Sequence, residues 1–242
     1  WFSSRTTTLS VSDTGGSNID QAKYSWDNNL MNAGCTSGGK TFTNGTILDL
    51  LSDAGEGSHR LYLCARDGAG NTNAWDSGAD QYRVDATAPI VTAFSVNGIS
   101  CEGDECATTV VTVNSVFPIA WTATDTGGSG IKRYEVWWAP DSGGSPGTWS
   151  IVPGKDNLAL DATSTTHDPA NGTYWYGIHT IDNANNCITV NTDDLKKGHC
   201  GGVSADSLDT RADKGPIKVV MLHNQPPTAN AQSVSIDENT AK

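Results

Sequence analysis

The chain has 242 residues, with 15 basic and 27 acidic side chains and a formal net charge of −12. At roughly 100–150 residues per domain this length makes two domains. With 36% hydrophobic and only 17% charged residues it is too apolar for a disordered chain. It is also too poor in Leu, Lys and Glu for a helical bundle. The acidic balance excludes a nucleic-acid partner, which would require a basic surface. No apolar run approaches the roughly 18 residues that a membrane helix needs, so no membrane insertion is expected in this segment.

In chain order, the first expected strand covers residues 8–12. It runs into Ser12-Asp-Thr-Gly-Gly-Ser-Asn-Ile19, followed by an alternating segment at 22–26. A further strand, Leu61-Tyr-Leu-Cys-Ala-Arg66, enters the turn Asp67-Gly-Ala-Gly-Asn71, and residues 81–84 close the unit. The same order then recurs. A strand at 117–124 leads into Thr124-Asp-Thr-Gly-Gly-Ser-Gly-Ile131, which matches the first block at six of eight positions. Residues 132–138 alternate again, Tyr176-Gly-Ile-His-Thr-Ile181 enters the turn Asp182-Asn-Ala-Asn-Asn186, and residues 217–222 close the second copy. The similar offsets of the two pairs of blocks, 112 and 115 residues, mark a duplication. Short alternating strands separated by Gly, Asn and Asp turns predict an all-β fold of two tandem immunoglobulin-like antiparallel sandwiches, with no sustained helical period. The boundaries fall at 1–88, 89–223 and 224–242. The last segment opens a third unit after the linker Asn224-Gln-Pro-Pro227. Starting at Trp1, with a short front to its first copy, the chain is expected to be a fragment whose targeting segment lies elsewhere.

Six cysteines, Cys35, Cys64, Cys101, Cys106, Cys187 and Cys200, form no CxxC pair, so a zinc site is not expected. Disulfides in an oxidising, extracellular or cell-surface setting fit better. Of the 15 possible connectivities, pairing in chain order is favoured: Cys35–Cys64, Cys101–Cys106 and Cys187–Cys200.

The Asp-Thr-Gly-Gly-Ser-Gly-Ile loop, the Asp-x-Ala-x-Asn turn and the junction Val84-Asp-Ala-Thr-Ala-Pro89 resemble those of bacterial immunoglobulin-like or fibronectin type III-like repeats. The tail from Pro226 to Asn239 is similar to the start of a bacterial cadherin-like repeat. The resemblance implies a repeat region of a large secreted or surface protein, a spacer or adhesin without catalysis. Its partners would be neighbouring domains of the same larger chain. Two alternatives remain open: a carbohydrate-binding accessory region of a polysaccharide-degrading enzyme, and a subunit of a self-assembling extracellular filament.

Three site hypotheses follow. Calcium takes several oxygen ligands from loops. In such a sandwich the loop after the second strand lies beside the last turn, which brings Asp125 to Asp182, with the linker's Asp85 arriving at the same end and Asn183 completing the shell. Asp13 and Asp67 would be the equivalent pair in the first copy, and Asp237 and Glu238 could serve the third. The competing reading is that each Asp only closes an Asx-turn. Strand parity turns Trp137 and Trp175 outward, where they form a glycan platform or, as the favoured reading, a small second core beneath residues 187–216. The hydrolase-like pattern Gly143-x-Ser145-x-Gly147 sits in a Gly/Ser-rich stretch without the strand–turn–helix context a nucleophile requires, and a plain loop is expected. Asn44-Gly-Thr46 and Asn171-Gly-Thr173 match the glycosylation sequon.

Overall fold

The computed structural model describes residues 1–29, 34–79, 81–100, 109–112, 116–187 and 214–223. Cys101, Cys106, Cys200 and the cadherin-like tail with Asp237 and Glu238 lie outside the described residues. Strands dominate, as the alternating pattern requires, in two antiparallel sandwiches of immunoglobulin-like topology.

The first unit contains β1 (Thr6–Thr8), β2 (Ile19–Trp26), β3 (Lys40–Thr41), β4 (Ile47–Asp49), β5 (Gly57–His59), β6 (Leu61–Asp67), β7 (Thr72–Asp76) and β8 (Tyr82–Val84). One sheet has the order β3-β2-β6-β7; β1 pairs with β4, and β5 with β8. Leu9, Tyr24, Phe42, Leu50, Leu61 and Val84 fill the core between them. One element departs from expectation, a single helical turn α1 (Leu50–Asp53). It exists because Asp49 caps it, accepting from the Ser52 N–H at 2.9 Å, while Leu50 is drawn fully into the core. A disulfide joins Cys35 to Cys64 across a Cα–Cα distance of 5.8 Å, with both cysteines buried. Cys187 is also disulfide-bonded.

The second unit contains β9 (Ile90–Val96), β10 (Ile99–Ser100), β11 (Thr109–Thr112), β12 (Phe117–Thr124), β13 (Ile131–Ser142), β14 (Ser145–Pro146), β15 (Ser150–Ile151), β16 (Ser164–His167), β17 (Gly172–Asp182) and β18 (Lys214–Met221). Its sheets run β10-β9-β12-β16 and β11-β18-β17-β13-β14. The inner faces meet in a core of Phe94, Phe117, Ile119, Tyr176, Ile178 and Met221, each fully buried. Phe117 and Tyr176 meet edge to face, with centroids 5.4 Å apart.

Strand register ties the two copies together. Gly57 faces Val84 in the first unit and Gly172 faces Met221 in the second, so the closing segments stand at corresponding places. A parallel bridge from Phe2 to Val84 repeats, in one residue, the parallel pairing of β11 with β18 that ends at Thr112 and Met221.

The central strands β13 and β17 are longer than the sequence suggests and are covered on both faces. Tyr134, Glu135, Val136 and Trp137 are all buried in succession, which is the mark of a strand with no solvent face. Glu135 tolerates this because Arg133 Nε donates to its Oε1 at 2.9 Å and Trp137 Nε1 to its Oε2 at 3.2 Å.

Removing the Cys35–Cys64 bridge with Cys35→Ala/Cys64→Ala frees a loop with a sequence separation of 29. The chain-entropy relation puts the cost at about 3.5 kcal/mol. Denaturant unfolding followed by circular dichroism should show a separate, earlier transition for the first unit; an unchanged profile would contradict the assigned role.

Candidate metal centre at the inter-unit joint

The joint is built from three segments that each unit's fold delivers to one place. Val84 ends β8 and hands the chain to Asp85, whose N–H donates to the Phe2 carbonyl at 2.9 Å. The loop between β12 and β13 carries Asp125, and β17 ends on Asp182. One oxygen from each of Asp85, Asp125 and Asp182 lies within 4.8 Å of the other two. Asp85 and Asp182 are fully buried and Asp125 is half-buried.

Each carboxylate is aimed by backbone donors. Asp85 Oδ1 accepts from the Thr87 N–H at 3.0 Å and Oδ2 from the Ser129 N–H at 2.9 Å. Asp125 Oδ1 accepts from the Gly127 N–H at 3.0 Å and Oδ2 from the Gly130 N–H at 2.5 Å. Asp182 Oδ1 accepts from the Asn186 N–H at 2.7 Å, and Oδ2 from Asn186 Nδ2 at 2.8 Å. The Asx-turn geometry and the clustering therefore coexist: the turns orient the same carboxylates that converge. Gly127 is required by contact, since a Cβ there would sit 1.9 Å from Asp85 Oδ1.

Asn183 stands beside the cluster with its side-chain nitrogen committed to the backbone. It is exposed, and its Nδ2 donates to the carbonyls of Ser129 at 2.9 Å and Gly130 at 3.0 Å, tying the last turn to the Asp125 loop. Asn186 is the residue the sequence reading missed. Its Nδ2 donates both to Asp182 Oδ2 and to the Asp85 carbonyl, each at 2.8 Å, and so stitches the linker to the turn. The available signal was the last position of Asp-x-Ala-x-Asn, which Asn71 also fills. Glu56 was missed as well. Its carboxylate accepts from the Ala86 N–H at 2.9 Å and the Thr87 hydroxyl at 2.8 Å, gripping the linker from the first unit's side.

The equivalent pair in the first copy is a weaker arrangement. Asp13 accepts from the Gly15 N–H at 2.7 Å and the Ser17 hydroxyl at 3.3 Å, and Asp67 from the Asn71 N–H and Nδ2, both at 2.8 Å. Both are half-exposed, and no third acid joins them among the described residues. Electrostatics separate the copies. The Asn71 side chain, with nearby backbone N–H groups, holds the Asp67 carboxyl below the usual range. Burial, reinforced by the charge of Asp85, pushes the Asp182 carboxyl up despite its Asn186 bonds. Hard oxygen donors without His or Cys, converging with excess negative charge, suit a hard cation such as calcium.

The aromatic pair is not an open platform. Trp137 is 8% exposed and packs with Ala139 and Trp149, while Trp175 is half-buried at the edge of that cluster. The Trp175 indole donates to Asp141 Oδ1 at 2.9 Å, and Lys218 Nζ sits 5.2 Å from its ring centre. A second core therefore forms on this face, but residues 149–151 supply its cover; most of 187–216 lies outside the described residues. Ser145 lies in the β13–β14 hairpin, where Gly143 and Gly144 take positive φ, and the next element is the strand β15, not a helix. His59 lies in the first unit, paired with Asp27 at 2.7 Å. Asn44 and Asn171 are exposed, and their side-chain oxygens accept from the N–H groups of Val11 and His223.

No protein-family model and no curated protein matches the chain. Among solved structures it is similar to the fibronectin(III)-like modules of CbhA from Clostridium thermocellum, at 10% identity and a TM-score of 0.38, covering 95% of this chain and 91% of that one.

Two outcomes check the joint. An acid whose folded pKa is raised keeps its proton more tightly when folded, so its contribution falls as pH rises from the unfolded value near ~3.9 through the raised folded one. In EDTA, the melting temperature of Asp182→Asn should gain on the parent as pH rises from acid to neutral; a pH-independent difference would refute the assignment. Gly127→Ala forces a methyl onto the Asp85 carboxylate, at a position without positive φ, and should lower the melting temperature. An unchanged melting temperature would show that the Asp85 contact is unimportant.

Proposed function

We propose that the chain is a non-catalytic structural and adhesive repeat region of a large secreted or surface protein, whose two units are locked into a stiff pair by calcium at the joint. The observation that carries this reading is the convergence of Asp85, the exit of the first unit, with Asp125 and Asp182 of the second, within 4.8 Å. Three carboxylates at that separation repel, and two of them are fully buried. Two oxygens on one calcium ion are at most about 5 Å apart, since each bond is about 2.3–2.6 Å, so the three carboxylates fit around one such ion. The ion would replace repulsion by attraction at the point where the linker passes between the units. Ser129, Asn186 and Glu56 already hold that linker from both sides, so the ion would stiffen a joint that is bonded without it. The buried Cys35–Cys64 bridge supports an oxidising, extracytoplasmic setting.

Calorimetry and thermal melting with calcium test this. Calcium at a hundredfold excess over its Kd should add about 2.7 kcal/mol to stability. Asp85→Asn/Asp125→Asn should remove that gain, and small-angle scattering should show a narrower spread of inter-unit distances with the ion than in EDTA. Absence of both binding heat and a melting shift would sink the proposal.

A further inference from the structure

The residue that grips the linker in the first unit has a counterpart in the second, and the two differ in chemistry. Register fixes the correspondence. Gly57 faces Val84 and Gly172 faces Met221, so Glu56 stands where Asn171 does, Asp85 where Leu222 does, and Ala86 where His223 does. Both gripping residues take the same N–H: Glu56 Oε1 accepts from Ala86 at 2.9 Å, and Asn171 Oδ1 from His223 at 2.5 Å. Glu56 goes further. The Thr87 hydroxyl donates to its Oε1 at 2.8 Å and lies 2.9 Å from its Oε2. Thr87 in turn donates its N–H to Asp85 Oδ1 at 3.0 Å. A continuous path therefore runs from the surface of the first unit, through Thr87, to one oxygen of the buried acid. The difference between the copies follows what the chain carries at this place. Beside Leu222, which is 50% exposed, the grip is a neutral amide on one N–H. Beside Asp85, which is fully buried, it is a carboxylate holding both of the next two residues.

We propose that Glu56 is a positioning residue of the joint's cation site, fixing Asp85 for calcium through Thr87. This rests on the reading of the joint as a calcium site. Glu56 stands on the surface, outside the three acids whose oxygens converge, so it acts through the linker and not as one of them. A carboxylate that can swing must be ordered when the ion arrives, and that ordering subtracts from affinity. With the Thr87 N–H held in place, Asp85 Oδ1 is aimed beforehand. Partners that orient metal ligands in this way change metal affinity about 10–100-fold. Glu56 lies between α1 and β5, so the affinity of the site depends on the first unit being folded around it. The coupling is reciprocal: bound calcium tightens the first unit's hold on the linker by the same factor.

Calcium titration calorimetry on the 242-residue chain, with amide hydrogen exchange in EDTA, tests this. Glu56→Ala removes the bonds to Ala86 and Thr87 and should weaken calcium binding about tenfold. Glu56→Gln keeps an oxygen at the Oε1 position, where both donors already meet, and should restore most of the affinity. Were charge alone responsible, Gln would fare as badly as Ala. Asn171→Ala breaks the corresponding grip at the end of β17 away from Asp182 and should leave calcium binding unchanged. In EDTA the Thr87 amide should exchange faster in Glu56→Ala than in the parent or Glu56→Gln, which reports the lost bond to Asp85 without the ion. Equal calcium affinity in the parent and Glu56→Ala, an equal fall in Glu56→Gln or Asn171→Ala, or a Thr87 amide that Glu56→Ala leaves unchanged would each overturn this proposal alone. A parent that takes up no calcium would overturn the calcium reading and this proposal with it.

Discussion

Everything at the centre of this molecule depends on a carboxylate placed where no water reaches it. Asp85 ends one sandwich and enters the other fully buried, and its oxygens and carbonyl are shared between Thr87, Ser129 and Asn186. A buried ion of this kind is costly unless every lone pair finds a donor. That requirement explains the neighbouring sequence. Gly127 must be glycine to let the carboxylate approach, Ser129 must present its N–H, and Asn186 must reach back across the turn. The linker is fixed at Asp85, the residue whose side chain is fully buried.

Duplication supplied the parts, and burial then drove them apart. The turns at Asp67 and Asp182 have the same residues at their first, third and last positions, and the same pair of bonds from Asn71 or Asn186. In the first copy the carboxylate is half-exposed and its bonds lower its pKa. In the second the same bonds are outweighed by burial and by the charge of Asp85. One local motif therefore yields opposite electrostatics, decided by what the neighbouring unit brings to it.

The fold was legible because its signals are local. Alternation along residues 117–124 and 132–138, and turn residues at Asp13, Asp67, Asp125 and Asp182, suffice to set strands and loops, and sandwich topology then places the three joint acids together. What could not be read depends on geometry finer than a pattern. Asn183 and Asn186 look alike in sequence, and only the turn decides that one props the loop while the other bridges the linker. Trp137 was read as outward by parity, but parity gives direction and not exposure. Its cover, Trp149, comes from a stretch without any period. Glu56 reaches the linker from beyond a helical turn that exists only because Asp49 caps it.

The parallel pairing of β11 with β18 has a mechanical consequence. Thr109 faces Lys218 and Thr112 faces Met221, so the chain enters this pair at one end and leaves it at the other. Tension applied along the chain pulls these two strands past each other, and their hydrogen bonds are strained together in shear instead of opening one at a time like a zip. In the first unit the Phe2–Val84 bridge stands at the corresponding place, so the same direction of load applies there.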